Sequence, residues 1–230
     1  MAKTFAFFLR TAFWTRVLIS GVGQLNRPKL PDIDGLDRFR GPAFHSACWD
    51  HSVSLAGKRV AVIGSGASAF QLVPEIATQA AQVYTFQRTP QWMFPNPDYH
   101  RAVSPGANWC FRHLPYYGRW YRFLLFWPAS DGLLPSLVID PDWPHQERSI
   151  NAINEFTREM FAGWIRQQCG DDEALFQRVL PAYPPLARRT LQDNGSWLQA
   201  LRRDNVQLVD REVPALTQTA VRTAAGDEFE

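Results

Sequence analysis

The clearest pattern in the chain is an apolar run, a helical stripe and a second apolar run within residues 58–87. The run Lys58–Ile63, which is rich in β-branched residues, predicts a central parallel strand that is covered on both faces. After Gly66, apolar residues at helical spacing predict a helix that Pro74 kinks or shortens; they are Ala69, Leu72, Val73 and Ile76. A second strand is predicted at Gln82–Gln87. This order forms the βαβ unit of a Rossmann-like dinucleotide-binding sheet, so the predicted fold class is α/β.

Between Pro90 and about Gly170 the alternation gives way to an insertion that is rich in aromatic residues. These are Trp109, Phe111, Tyr116, Tyr117, Trp120, Tyr121, Phe123, Phe126 and Trp127. We expect them to form core or to line a substrate cavity, because concave apolar sites are built from such side chains. A membrane-facing patch is the alternative, although residues 120–127 are too few to span a bilayer.

The second half of the insertion predicts a helix, after which strands return. The helix extends over about Ser149–Cys169 and ends at Gly170, and its apolar face consists of Ile153, Phe156, Met160 and Trp164. Short strands are predicted at Val206–Val209 and Ala220–Thr223. The chain is therefore expected to be a βαβ domain with a helical insertion.

Composition narrows the classes of partner. The 230 residues include 24 basic and 22 acidic side chains, and no Lys/Arg block is present, so we expect no nucleic acid partner. The three cysteines are far apart and the histidines form no ligand pair, which favours a cytoplasmic protein without a metal site. The apolar run 5–14 is short and contains Arg10, so no stable membrane insertion is expected.

The strongest local chemistry is the G-x-G-x-x-A sequence between the first predicted strand and the helix. It consists of Gly64, Ser65, Gly66, Ala67, Ser68 and Ala69. Gly64 permits a tight turn, Gly66 lets the backbone approach a pyrophosphate, and Ala69 allows the helix to pack closely on the sheet. Together with Gln71, these residues are predicted to bind a dinucleotide; a tight structural turn is the alternative.

The end of the second strand indicates which dinucleotide is bound. An NAD site has Asp or Glu about 20 residues after the glycines, whereas this chain has Gln87-Arg88-Thr89. The Arg88 guanidinium and the Thr89 hydroxyl suit a 2′-phosphate, so NADP is favoured. The alternative is that Arg88 is an ordinary solvated residue at the end of a strand.

The segment Phe39–Asp50 resembles a long family fingerprint. From its residues alone, His45 is a structural histidine and Trp49 a core anchor. The segment matches F-x-G-x-x-x-H-x-x-x-W-[P/D] of type I Baeyer-Villiger monooxygenases at every defined position. Its Trp-Asp ending distinguishes it from the related flavin-containing monooxygenases that oxidise nitrogen and sulfur, which are the alternative.

The resemblance continues in two further segments. Residues 87–92 are similar to the family's Q-R-T-P-x-W, and residues 181–197 to P-x-Y-P-x-x-x-K-R in the 4-hydroxyacetophenone monooxygenase branch. The resemblance implies that Arg88, Thr89 and Arg188 hold the NADP 2′-phosphate. It also implies that Arg189 and His45 are catalytic, with Arg189 serving the flavin. Arg188 replaces the family's Lys, which keeps the charge and changes the geometry.

The resemblance implies an NADPH- and FAD-dependent enzyme with a two-dinucleotide-binding flavoprotein fold. Such an enzyme inserts one oxygen of O2 next to a ketone carbonyl and yields an ester or lactone. In this frame residues 1–54 are a remnant of the FAD-binding domain with the fingerprint linker, and 55–95 the first half of the NADP-binding domain. Residues 96–175 are the helical insertion, and 176–230 the second half.

The FAD fingerprint of such enzymes is not found in the sequence. Gly21-Val22-Gly23 is followed by residues that cannot begin a phosphate-binding helix. We therefore expect the chain to be an internal fragment that is incomplete and inactive alone. A non-catalytic NADP-binding fragment is the alternative, and the oligomeric state stays open.

Overall fold

The computed structural model describes Val17, Ile19, Gly21, Gly23 and residues 27–230, so the apolar run 5–14 lies outside the described residues. The chain divides into two units. The smaller contains the described residues before Ile33 together with Phe44–Asp50, and the larger contains Ile33–Ala43 and His51–Glu230. The larger unit holds all of the regular strands and α-helices described below.

The first regular elements of the larger unit form the predicted βαβ unit. It consists of β1 (Arg59–Ile63), α1 (Ala67–Ile76) and β2 (Gln82–Phe86), and β1 and β2 are parallel. Ala69, Phe70, Val73 and Ile76 form the buried face of α1. The helix contains Pro74 and ends two residues beyond it, at Ile76. The predicted strand–helix–strand order is therefore confirmed.

Within residues 93–193 the insertion contains four α-helices between two short strands. In chain order these elements are β3 (Met93–Pro95), α2 (Pro105–His113), α3 (Tyr117–Ala129), α4 (Ala152–Cys169), α5 (Glu173–Val179) and β4 (Leu191–Asp193). β3 and β4 pair in parallel, so the two ends of the insertion lie side by side. Trp164 of α4 donates its indole N–H to the Asp193 carboxylate at 2.8 Å, and burial raises the pKa of that carboxyl.

The chain then completes the parallel sheet and adds a small meander. The remaining elements are α6 (Ser196–Leu201), β5 (Val206–Val209), β6 (Ala215–Leu216), β7 (Val221–Arg222) and β8 (Glu228–Phe229). β5 lies parallel to β2 and gives the strand order β1-β2-β5, while β6, β7 and β8 are antiparallel. Ile63, Phe86 and Val209 are in register, so the carboxyl ends of the three strands lie at one edge.

The expectation that the first strand is central and covered on both faces is wrong. Among the described residues β2 is the central strand and β1 an edge strand, and alternate residues of β1 are exposed. Ile63 at its end is 43% exposed. A run of β-branched residues indicates a strand, but it does not identify the neighbours that would cover it.

The meander packs on the sheet together with the segment Ile33–Ala43. The core of this contact contains Ile33, Phe86, Val209, Leu216 and Val221. Within the segment, a Cβ on Gly41 would lie 2.7 Å from the Phe39 ring. The first two defined positions of the F-x-G fingerprint thus lie close together, and the Phe39 ring would have to shift to admit a side chain at position 41.

The aromatic insertion differs most from expectation. No described residue of α2 or α3 is buried, and Trp120 and Phe126 are 62% and 71% exposed. The interpretation of these residues as core is therefore wrong for the described chain, and the lining of a substrate cavity stays a prediction. In α4, likewise, Ile153, Phe156 and Met160 are exposed, whereas the side with Phe161 and Ile165 is buried. Within residues 27–230 no helix combines the length and apolar character needed to cross a membrane.

Candidate functional site

The turn between β1 and α1 places the glycine motif at the carboxyl edge of the sheet. Gly64 has a φ of 109°, which residues with a Cβ rarely adopt, and its N–H donates to the Phe86 carbonyl at 2.9 Å. Gly66 is the N-cap of α1 in ordinary extended conformation, and a Cβ on it would meet nothing within 4 Å. The space beside Gly66 is therefore open to a ligand.

The first turn of α1 presents backbone N–H groups at this turn. No side chain caps the helix, and within the described part of the chain no acceptor bonds the N–H groups of Ala67, Ser68 and Ala69. Such groups, together with the positive end of the helix dipole, attract an anion such as a pyrophosphate. Ala69 is buried, as expected of the small residue that lets the helix pack closely.

The polar side chains of the motif differ in their surroundings. Ser65 is buried, and its hydroxyl donates to the Thr89 carbonyl at 3.3 Å, which joins the glycine turn to the segment after β2. Ser68 is exposed. Gln71 is also exposed, but its amide donates to the Ala67 carbonyl of its own helix at 2.9 Å. Ser65 and Thr89 are thus brought together, whereas Gln71 is engaged by its own helix.

The three residues that directly follow β2, Gln87, Arg88 and Thr89, include one exposed cation, Arg88. Gln87 is buried and donates its amide to the Arg178 carbonyl at 2.9 Å. Arg88 is exposed, and among residues 27–230 no carboxylate or carbonyl is bonded to its guanidinium. Thr89 is half-buried. The positive charge of Arg88 is therefore available to an anionic ligand.

Arg88 and Thr89 line an open cleft of about 650 Å³. The cleft lies beside the ends of β2 and β5, and its other lining residues are Pro90, Glu147, Gln177, Arg178, Leu180, Ala182, Tyr183, Pro184 and Asp210. Arg178 pairs with Asp210, with Nε and Oδ2 3.5 Å apart, and also donates to the Leu208 carbonyl. Because Arg178 is neutralised by this partner, Arg88 is the cleft cation best placed to receive a phosphate.

Tyr183 connects this cleft to Arg188. The Tyr183 hydroxyl donates to the Pro90 carbonyl at 3.1 Å, and the Arg188 Cζ lies 4.8 Å from the centroid of its ring. Burial raises the pKa of the Tyr183 phenol, so the hydroxyl keeps the proton that it donates. Arg188 is exposed and does not line the cleft itself.

Arg189 follows on the same loop and is also exposed. Within the described chain no acceptor or carboxylate is bonded to its guanidinium. Leu186, three positions earlier, has a φ of 65°, a left-handed conformation that a bulky residue rarely adopts. The loop that carries both arginines is therefore held in a strained backbone conformation.

His45 lies in the smaller unit and caps a short 3₁₀-helix there. Its Nδ1 accepts from the Ala47 N–H at 3.0 Å, and the helix extends over Ser46–Cys48. Phe44 and Trp49 of the same segment meet edge to face, with ring centroids 5.1 Å apart. A neutral His45 therefore carries its proton on Nε2, the nitrogen that points away from the cap.

Sequence reasoning missed several residues of the cleft. Tyr183 lies in the P-x-Y-P segment, so a signal was available, but its contact with Pro90 requires the fold. Arg178 and Asp210 carry no sequence signal, because α5 and the end of β5 meet only in three dimensions.

Known proteins similar to this chain include flavoprotein oxygenases. Residues 10–101 match the family model for flavin-binding monooxygenase-like proteins. The chain is 42% identical over 196 residues to an uncharacterized monooxygenase of Sinorhizobium fredii, which covers 85% of this chain and 30% of the relative. It is 34% identical over 218 residues to a Baeyer-Villiger monooxygenase of Pseudomonas aeruginosa, which covers 95% of this chain and 38% of the relative.

A solved structure agrees with these relatives. The crystal structure of OTEMO in complex with FAD and NADP matches with a TM-score of 0.72 at 27% identity, covering 95% of this chain and 46% of that chain. This likeness confirms the predicted α/β fold, which forms part of a two-dinucleotide-binding flavoprotein fold. The chain spans less than half the length of each of these proteins.

Proposed function

We propose that this chain supplies the NADP-binding part of a Baeyer-Villiger-type flavin monooxygenase, because it is similar to flavin-binding monooxygenases and to a Baeyer-Villiger monooxygenase. The enzyme uses NADPH, FAD and O2 to convert a small ketone into an ester or lactone. The observation that carries the proposal is the pairing of an open glycine turn at Gly66 with the unpaired cation of Arg88.

The residues of the larger unit fit NADP. The free N–H groups of the first turn of α1 bind the pyrophosphate, and the open space at Gly66 admits it. Arg88 and Thr89 bind the 2′-phosphate at the cleft, with Arg188 as a second cation nearby. Bound NADPH supplies a hydride, and the chain's own task is to bind and orient it.

The described residues supply no second glycine motif for the FAD pyrophosphate. Gly64-Ser65-Gly66 is the only G-x-G sequence among residues 27–230. We therefore assign FAD to the enzyme as a whole and derive no step through the flavin.

Arg189 is proposed as a catalytic residue because its guanidinium is exposed and carries no partner in the described chain. A fixed cation beside a developing oxyanion lowers the barrier by about 3 to 4 kcal/mol for one well-placed donor. Arg189→Ala should therefore slow ester formation by the active enzyme about hundredfold to thousandfold while NADP binding is kept. Oxygenation at the original rate would remove Arg189 from the mechanism.

His45 is also proposed as a catalytic residue. The contact that the structure shows for it is the cap of the 3₁₀-helix. Asn is also a good N-cap, so His45→Asn keeps the cap and removes the imidazole. Loss of oxygenation with unchanged thermal stability supports a catalytic role, and full activity contradicts it.

The cofactor assignment is tested by Arg88→Ala, with Arg112→Ala of the insertion as matched control. The Kd values for NADP and NAD are measured by calorimetry. Loss of a charge-assisted contact worth about 1.5 to 3 kcal/mol predicts an affinity for NADP about tenfold to hundredfold lower, with NAD unchanged. An equal loss for both cofactors would show that Arg88 does not read the 2′-phosphate.

The reaction class is tested by product analysis of the active enzyme with a ketone and a thioether. Ester formation from the ketone supports the proposal. Oxidation of the thioether alone identifies the related nitrogen- and sulfur-oxidising class instead.

We also propose a cytoplasmic location. Cys48, Cys110 and Cys169 are free thiols, which is typical of a reducing compartment. Fractionation of the producing cells tests this location.

A further inference from the structure

Tyr183 joins two segments that line the cleft, residues 88–90 and its own loop. Its backbone carbonyl accepts from the Trp92 indole N–H at 2.8 Å, and its hydroxyl donates to the Pro90 carbonyl at 3.1 Å. Both contacts reach the segment that follows β2 and contains Arg88 and Thr89. The residue is therefore held at its backbone and at the tip of its half-buried ring.

The fixed ring supports the side chain of Arg188. The guanidinium lies over the ring face with its Cζ 4.8 Å from the centroid, within the range of a cation–π contact. A planar guanidinium stacks on an aromatic face, whereas a lysine ammonium is a compact, strongly hydrated charge. No carboxylate within residues 27–230 pairs with Arg188, so the charge stays available to a ligand.

We propose that Tyr183 is a positioning residue for recognition of the cofactor's 2′-phosphate. Its ring holds the Arg188 guanidinium beside the cleft, and its hydroxyl fixes the backbone that carries Arg88 and Thr89. This inference rests on the proposed function, since it assumes that NADP binds at this cleft. It assigns a specificity role to a residue that does not itself carry charge.

The test separates the ring from the hydroxyl. Tyr183→Phe keeps the ring and removes the hydroxyl, and Tyr183→Leu removes both. Each is made in the full chain, alone and with Arg188→Ala. Kd values for NADP and NAD are measured by calorimetry, and the ratio of the two is the readout that a general loss of stability would not change.

We expect Tyr183→Leu to reduce the preference for NADP over NAD about fivefold to tenfold more than Tyr183→Phe does, as loss of one exposed to partly buried cation–π contact predicts. In the Arg188→Ala background this difference between Leu and Phe should vanish, because the ring acts through Arg188. A difference that persists in that background would overturn the proposal.

Tyr116→Leu is the matched control. Tyr116 also lies under an arginine, with the Arg119 Cζ 5.6 Å from its ring centroid, but it belongs to the insertion and does not line the cleft. Its replacement should leave the cofactor preference unchanged. If the unmodified chain binds adenosine 2′-monophosphate no better than adenosine 5′-monophosphate, the proposed cofactor site fails, and the Tyr183 proposal fails with it. If it does bind better, and Leu and Phe at position 183 behave alike, the Tyr183 proposal alone fails.

Discussion

Replacing Gly66 by Ala should impair cofactor binding far more than it impairs folding. Gly66 has a φ of −74°, which alanine adopts readily, and a Cβ there would meet nothing within 4 Å. The substitution sacrifices only the modest advantage of glycine over alanine at an N-cap, about 0.5 to 1 kcal/mol of unfolding free energy. The added methyl group, however, occupies the space through which a pyrophosphate reaches the N–H groups of α1.

The expected binding loss follows from those N–H groups. Each hydrogen bond from a backbone N–H to a charged phosphate contributes about 1.5 to 3 kcal/mol, so the loss of one corresponds to roughly tenfold to hundredfold weaker binding. Calorimetric titration with NADP and with NAD measures the loss, which should be equal for the two cofactors because both contain the pyrophosphate. Urea unfolding of the same samples measures the stability.

Two further glycines separate the effects. Gly64 and Gly57 have φ of 109° and 68°, so alanine at either position should cost about 1 to 3 kcal/mol of stability through backbone strain. Only the Gly64 change should also weaken cofactor binding. Gly106 in α2 has open space around it and is the control for Gly66. If Gly66→Ala bound both cofactors as tightly as the unmodified chain, the anion site at α1 would be refuted.

Three other changes address the cleft and the core. Glu147→Gln should tighten NADP binding about twofold at low ionic strength and have no effect in 0.5 M salt, because this exposed carboxylate lines the cleft and its repulsion of a phosphate is screened by salt. Equal affinity of the variant and the unmodified chain at low salt would contradict this repulsion. Burial raises the pKa of the Asp193 carboxyl, so above the ordinary Asp pKa the folded chain binds more protons than the unfolded chain, and stability falls as the pH rises through the raised pKa. Asp193→Asn should flatten this pH dependence of stability, measured by urea unfolding between pH 4 and 7. An unchanged slope would assign the pH dependence to another group. Trp197→Ala should lower the unfolding free energy by about 3 to 5 kcal/mol, because this buried indole stacks on Phe70 with ring centroids 5.2 Å apart. Replacement of the exposed Trp120 by Ala should be nearly neutral. Similar losses for both variants would contradict the assigned burial.

Local sequence signals predicted the parts of the fold that depend on local patterns. The strand at Val206–Val209 has the predicted bounds, and the glycine turn joins β1 to α1 as the motif requires, because steric limits on φ act within a few residues. Gly170 ends α4 for the same reason, with a φ of 61°.

Features that depend on tertiary neighbours were not predictable from the same signals. The exposure of β1 depends on which strands flank it, and the exposure of Trp120 and Phe126 depends on what packs against α3. Hydropathy records the preference of a side chain and not the presence of a partner. Likewise, the support that Tyr183 gives to Arg188 combines a local stack with contacts to residues about ninety positions away.

Three long-range hydrogen bonds join the two ends of the insertion at its base. Gln87 with Arg178, Trp92 with Tyr183, and Tyr183 with Pro90 join residues that are 91 to 93 positions apart, and the β3–β4 ladder adds to this closure. The insertion is thus a loop whose ends are tied at its base. The entropic cost of closing such a loop grows by only about 0.6 kcal/mol for each doubling of its length. Length changes in the part of the insertion that does not line the cleft, such as α2 and α3, are therefore inexpensive for the stability of the cleft. This part of the chain can diverge while the cleft is kept.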